Sequence, residues 1–296
     1  MKEKPFSKYQ ILANAVMIIW TLAIILPFIL LFMSSITDEN TLVANGYSFF
    51  PKKFSLASYS YIIKSGGQIL KAYGVSIGVT VVGTLLNVLL SALMAYPLSV
   101  KNLPGRNVMM FFVFFTMLFN GGIVPSYIMW TGTFHIKDTI FAQLLPNFLL
   151  SAWNVMMIRT YFTTSIPDGL YEAAEIDGAS QFTIFWKIVL PLGKPILVTM
   201  GTFAGLAYWN DWTNGLYYIV KNTGLYNVQN LLNQMVQNIQ FLTQSSNSNV
   251  TAVASTIPAT GIQMAIAFVA ILPIMLIFPS FQKYYAKGIA LGAVKG

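Results

Sequence analysis

Six runs of about twenty apolar residues alternate with shorter polar stretches along the chain, at 11–33, 75–97, 108–130, 139–161, 195–220 and 262–281. Each is about as long as a helix must be to cross roughly 30 Å of hydrocarbon. The pattern predicts an all-α, polytopic membrane protein with six transmembrane helices in a single domain over residues 1–296. The first run follows MKEKPFSK, the opening of a signal peptide. The run is too long for one, and no small-x-small cleavage site follows, so it is read as a retained span.

Charge orients these spans. The chain is 56% hydrophobic and 9% charged, far below the quarter usual for a soluble domain. With both termini in the cytoplasm, 11 of the 17 Lys and Arg fall on inner segments and 6 on outer ones. That bias places cations inside, although the first outer loop carries four lysines. The formal net charge of +8 comes without a basic block, so it reads as inner-loop charge and not as a nucleic-acid surface. Without cysteine, and with His135 the one histidine, thiolate sites and histidine metal clusters are excluded; no metal and no cofactor is expected on this chain. The expected long connections are outer loops 34–74 and 221–261 and a cytoplasmic loop at 162–194.

That cytoplasmic loop is unusual. Asp168, Glu172, Glu175 and Asp177, four of the nine acids in the chain, lie within ten positions. Pro167 suits a first helical turn, and Ser165 with Asp168 has capping-box spacing. A short helix would carry Asp168, Glu172 and Glu175 on one stripe, with Ala173, Ala174 and Gly178 small enough for close approach of another surface. Gly178 suits a helix stop. A second helix is expected to lay Phe182, Phe185, Trp186 and Val189 along the membrane interface, before Pro191 and Pro195. Read without analogy, the same loop is equally a solvated connector; its length favours a role.

Glu172-Ala173-Ala174, three residues, Gly178, nine residues, Ile188, one residue, Leu190-Pro191 resembles the EAA loop of binding-protein-dependent ABC importers, with every specified position matched. The resemblance extends along the chain. FFPKKFSLASYSYI (49–62), LMAYPLSVKNLPGR (93–106) and YYAKGIALGAVKG (284–296) are similar to segments of the smaller, maltose-type carbohydrate permease subunits. YGVSI (73–77), AYPLS (95–99) and NGGIVPSYI (120–128) resemble the oligosaccharide, LplC/YtcP-like branch of that family. Many maltose-type subunits have Asn-Ser where this chain has Val75-Ser76, which argues against maltose itself as substrate.

The resemblance implies a MetI-like permease fold in a bacterial cell membrane. It implies a second homologous permease subunit, two ATPase subunits that hold ATP and magnesium, and an extracytoplasmic solute-binding protein as partners. It also implies a coupling helix, gripped by the ATPase, at Glu172, Ala173, Ala174, Asp177 and Gly178, with Ile188, Leu190 and Pro191 closing the motif. The residues agree on one point independently: no G-x-x-x-x-G-K-[ST] occurs, so the chain lacks a P-loop. With no nucleophile–base–acid constellation either, it is expected to be a transport subunit and not an enzyme.

LAYWNDWTNGLYY (206–218) ends the fifth span. Tyr208, Trp209, Asn210, Asp211 and Trp212 combine flat aromatics with hydrogen-bonding groups, as sugar sites do. An interfacial aromatic belt is the competing reading for each ring. Asp211 is the one acid in a span, and such residues line cavities or pair with other groups. Asn120 and Asn87 are further cavity candidates, each equally explained by one interhelical hydrogen bond. The last outer loop holds twelve Asn and Gln between Asn222 and Asn249; its 227–242 portion predicts a short amphipathic helix and 243–250 an exposed turn. Two other classes remain open: an ABC permease for a peptide or phosphate, and an ATP-independent secondary transporter. The latter usually needs intramembrane ionisable groups and inverted repeats, and the sequence shows nearly none of the former and no repeat.

Overall fold

A computed structural model describes residues 8–64, 66–244 and 259–293. Of the turn expected at 243–250, residues 243–244 are helical and 245–250 lie outside the described residues, as do the N-terminal leader, the last residues of the 284–296 segment and the side chains of 278 and 280–293. The described chain is all-α, as the apolar runs predict. Its one β interaction among the described residues is an isolated bridge between Thr37 and Phe54.

The helices run in chain order as α1 (Lys8–Ser35), α2 (Glu39–Asn45), α3 (Ala57–Lys64), α4 (Gly66–Ser99), α5 (Arg106–Leu118), α6 (Ile123–Ile128), α7 (Phe141–Leu144) and α8 (Ala152–Ser165). Next come α9 (Asp168–Ile176), α10 (Gln181–Ile184), α11 (Leu190–Leu192), α12 (Lys194–Asn210), α13 (Thr213–Tyr218), α14 (Val228–Gln244) and α15 (Ala259–Ala293). π-turns at Met129–Thr133 and Phe185–Val189 extend α6 and α10.

The span pattern differs from the six-run reading. Lys8–Ser35, Gly67–Ser99 and Thr260–Ile277 are each long and apolar enough to cross a membrane. Two further apolar stretches are bent pairs: Arg106–Leu118 with Ile123–Thr133 at 109°, and Gln181–Leu192 with Lys194–Asn210 at 78°. The first bend falls at Asn120-Gly121-Gly122, where Gly122 has φ 85° and its N–H is taken by Asn120 Oδ1 at 2.8 Å. The expected run at 139–161 is not one helix. Pro146 has no N–H for an intrahelical bond, and Asn147 at φ 68° is left-handed, so α7 and α8 are separated by irregular backbone. Hydropathy averaged over about twenty residues sees neither event, because two or three polar or small residues barely lower the mean of a long apolar run. The first outer stretch also holds more helix than a loop reading suggests: α2, α3 and the start of α4 fall inside 34–74.

The chain divides into two compact units. Residues 8–69 with 232–273 form one. In it, Phe32 of α1 packs on Phe268 of α15 with ring centres 4.9 Å apart, and Ser35 Oγ and Tyr59 OH share a hydrogen bond of 2.7 Å. Ile62 packs with Ile262, Ala265 and Ile266. Glu39 Oε1 accepts from Thr260 N at 2.9 Å and Oε2 from Gly261 N at 2.8 Å, so a distant carboxylate caps the start of α15. Most of α1 has its apolar side chains exposed, as a lipid-facing helix would.

Residues 70–231 with 274 onward form the second unit. Its larger core joins the end of α4 to α8, α12 and the 162–194 loop through Tyr96, Leu98, Ile158, Phe162, Ile184, Phe185 and Val189. Small residues let α4 and α12 approach. A Cβ on Gly83 would fall 2.5 Å from the Tyr208 ring, and Gly201 and Gly205 face Val88 and Thr84.

Candidate functional site

The EAA stretch forms a helix–turn–helix. Ile166 and Pro167 leave α8 in extended backbone, and α9 starts at Asp168 with Pro167 at φ −63°. The expected capping box is absent: no side chain caps α9, and Asp168 instead pairs with Lys101 in the turn after α4. The end of α9 is as the glycine predicts. Gly178 sits at φ 75°, its N–H reaches Glu175 O at 3.0 Å, and Ala179 N reaches Ala174 O at 2.9 Å. These two bonds make a complete Schellman motif, with Ala174 and Ala179 both against the core. Ser180 then caps α10, its hydroxyl accepting from Thr183 N at 3.3 Å.

Burial sorts the motif. Ala174 faces inward, and Ile188 and Leu190 are half-buried against the same core. Glu172, Ala173, Asp177, Gly178 and Pro191 are exposed. Ile176 is 86% exposed and Phe182 67%, so the loop presents apolar side chains beside its acids. The four residues expected along the membrane interface divide instead: Phe185 and Val189 are buried, while Phe182 and Trp186 are exposed and meet edge-on at 5.9 Å. The π-turn Phe185–Val189 widens the helix where these residues turn inward.

Several positions that hold the loop are not legible from the motif. Tyr96 OH of α4 donates to Gln181 Oε1 at 2.6 Å, and Gln181 Nε2 donates to Glu175 Oε1 at 2.9 Å. The Tyr96 ring packs on Phe185 at 5.3 Å. One membrane helix thus grips both arms of the loop. Gly193 lies where a Cβ would meet Phe162 at 2.5 Å and Val189 O at 2.9 Å. Burial pushes the Tyr171 phenol above its ordinary range, with the Asp168 carboxylate adding to the effect. The signal for Tyr96 was present as an aromatic closing the second apolar run, but its partner lies 85 residues away.

The aromatic–amide stretch is broken where it was expected to be helical. α12 stops at Asn210, and Asp211 at ψ 123° leads into α13. Asp211 is buried, and its Oδ1 accepts from Thr213 N at 3.0 Å, Thr213 Oγ1 at 2.8 Å and Asn214 N at 3.3 Å, which caps α13. Its Oδ2 is buried without a hydrogen-bond partner among the described residues. Tyr208 is buried and donates to Leu144 O at 2.9 Å. Trp209 is buried with Tyr73 at 6.3 Å, whereas Asn210, Trp212 and Asn120 are exposed. The structure therefore separates these six: three lie in the packed interior and three at the surface.

Amides close this break. Asn214 Nδ2 donates to Pro146 O at 3.1 Å, and Asn147 Nδ2 to Asn214 Oδ1 at 3.2 Å. Asn227 Nδ2 donates to Asp211 O at 2.6 Å, Gln143 Nε2 to Asn230 Oδ1 at 3.2 Å, and Asn230 Nδ2 to Trp212 O. The broken segment after α7 is thus stitched to the α12–α13 break and to the start of α14. Part of the Asn/Gln content of the 221–261 segment is spent inside the protein. Asn87 does the same at mid-helix, donating to Phe148 O at 2.6 Å and accepting from Asn154 at 2.7 Å.

Comparisons with known proteins agree with this architecture. The family described as binding-protein-dependent transport system inner membrane component matches residues 72–291. Protein LplC of Bacillus subtilis is 36% identical over 273 residues, covering 92% of this chain and 90% of its own. The polygalacturonan/rhamnogalacturonan transport system permease protein YtcP of the same organism is 36% identical over 288 residues, covering 97% and 98%. A solved bacterial ABC transporter involved in the import of the acidic polysaccharide alginate contains a chain that superposes with a TM-score of 0.79 at 25% identity, over 96% of this chain and 100% of that one. A glycine-stopped EAA helix–turn–helix in an all-helical, apolar chain and these matches lead to one conclusion: the chain belongs to the binding-protein-dependent transport system inner membrane component family.

Proposed function

We propose that the chain is the permease subunit of an ABC importer for oligosaccharides or polysaccharide fragments, in a bacterial cytoplasmic membrane with both termini inside. Carbohydrate permeases among its relatives support the substrate class. The lysine and arginine bias supports the orientation. In this reading the two bent helix pairs and the α7–α8 pair each count as one span, giving six with α1, α4 and α15 in one permease domain. The chain supplies half a translocation path, and a second homologous permease the other half. ATP and magnesium sit on two separate ATPase chains, and an extracytoplasmic binding protein delivers the sugar.

One observation carries the coupling role. The EAA segment is locked to the core on its Ala174 side, closed by a left-handed Gly178, and leaves Glu172, Ala173 and Asp177 outward. A rigid, acidic, small-residue surface of this kind suits insertion into a basic groove and transmission of its movement to α8 and α12. Ile188, Leu190 and Pro191 hold the return arm. Trp209, Tyr208 and Asp211 stiffen the outer end of the path, while Asn210, Trp212 and Asn120 supply exposed polar and aromatic groups to sugar. The test is reconstitution of the complete importer in vesicles. Glu172→Lys is expected to preserve insertion and assembly of the permease pair but abolish sugar-stimulated ATP hydrolysis and uptake. Wild-type uptake by this variant sinks the coupling assignment.

A further inference from the structure

An open cavity of about 520 Å³ lies between the end of α4, α5 and the first turns of α8, lined by Met94, Leu98, Met109, Phe112, Thr116 and Val155 among others. Thr116 is the one polar side chain in the wall. On α5 the lining residues recur at helical spacing from Met109 to Thr116, so the cavity is an elongated slot beginning three residues after Arg106. Met94, Met109 and Phe112 are also exposed, so the slot opens sideways to the surroundings of the helices.

Its two ends differ. α4 runs from Met94 to Leu98 in the same sense as α8 runs from Ala152 through Val155 to Arg159. At that shared end Arg159 Nε donates to Leu98 O at 3.2 Å, and Arg106 Nη1 reaches Val100 O at 3.5 Å. Both arginines are half-buried, and among the described residues no carboxylate pairs with either. Each holds one of these backbone contacts and keeps several N–H groups for another acceptor. Asp168, at the start of α9, is taken by Lys101.

We propose that this slot binds an anionic phospholipid of the inner leaflet, one acyl chain lying along α5 and the headgroup phosphate held by Arg106 and Arg159. Arginine forks suit phosphate oxygens, and basic pockets between membrane helices on the cytoplasmic side suit anionic headgroups. From Arg106 to Thr116 the wall rises about 15 Å, the depth of one leaflet's hydrocarbon. A protein segment would fill the apolar wall equally well but would leave two cations at its end unanswered. The inference rests on the inner placement of Arg106 and Arg159 and not on the coupling role, so lipid retention and sugar uptake are separate readouts.

Native mass spectrometry of the assembled importer, titrated with phosphatidylglycerol or phosphatidylcholine of identical acyl chains, tests it. Wild type is expected to retain phosphatidylglycerol about tenfold better, because phosphatidylcholine carries the same phosphate but also brings a choline cation against the two guanidiniums. The Arg106→Gln/Arg159→Gln double variant is expected to lose that preference, and Met109→Trp to weaken retention of both lipids alike. Inorganic phosphate is expected to displace neither. Equal retention of the two lipids by wild type, an unchanged preference in the double variant, or displacement by phosphate alone overturns the assignment. So does retention by the permease chain on its own with none in the full complex, which would mean that a protein neighbour covers the slot.

Discussion

Replacing Tyr96 by phenylalanine removes a single oxygen and leaves the ring in place. The ring keeps its contact with Phe185 at 5.3 Å, and no cavity opens in the core around Phe162 and Val189. What is lost is the 2.6 Å bond to Gln181 Oε1, through which α4 holds a side chain that in turn holds Glu175. Gln181 is exposed, so water takes over its oxygen and no buried group is left unsatisfied. The cost therefore falls in the ordinary range for a neutral hydrogen bond, about 1 kcal/mol. That is roughly a fivefold shift in the balance between a docked and a released loop. Hydrogen exchange over 168–192 in the assembled importer reads the release directly, and the ratio of sugar transported to ATP hydrolysed reads its effect on coupling. Gln181→Ala should reproduce and exceed the effect, because it cuts both bonds. Adding Tyr96→Phe to Gln181→Ala should then cost nothing further. Additive losses in the double variant, or unchanged exchange in Tyr96→Phe, refute the relay.

Two more outcomes follow from the geometry. Gly193→Ala sets a methyl group 2.5 Å from the Phe162 ring and 2.9 Å from Val189 O, and should destabilise the join between α11 and α12 by about 1–3 kcal/mol, read as a lower Tm in detergent. Asp138 Oδ1 accepts from Lys221 N and Val220 N at 2.7 Å and from Asn222 N at 3.2 Å, which holds its carboxyl below the usual carboxylate range, the Lys221 bond contributing most. A depressed folded value means this clasp is intact above the ordinary range and is lost as pH falls through the lowered one. Protection of the amides at 220–222, taken relative to their intrinsic exchange rate at each pH, should fall only under that acid condition in wild type and be low at every pH in Asp138→Ala; protection that does not change with pH in wild type contradicts the clasp.

The helical class and the EAA register were legible because each rests on local spacing. Gly178 announced a left-handed stop, and the backbone turns there. The breaks were not legible. Pro146 was visible but lay in an apolar run, and the distant amide Asn214, bonded to Pro146 O and to Asn147, makes an interruption there tolerable. Asp211 was read as lining a cavity or pairing with another group; its Oδ1 caps the next helix, a role that depends on α12 ending one residue earlier. Phe185 and Trp186 are adjacent and both aromatic, yet one is buried and the other exposed, because neighbours on a helix point about 100° apart and which face meets the core is set by tertiary packing. Long-range pairs such as Tyr96 with Gln181 leave no trace in the spacing of either segment.

The amide stitching around Pro146 and Asn214 has an energetic consequence of its own. Gln143, Asn147, Asn214, Asn227 and Asn230 carry no formal charge, and Asp211 is the single ionisable group among them. A voltage across the bilayer acts on charge, about 2.3 kcal/mol per elementary charge for each 100 mV. A clamp built from neutral dipoles offers that field almost no lever. This clamp is then nearly deaf to the membrane potential and to salt, and any work that opens it has to arrive mechanically, through the helices it joins.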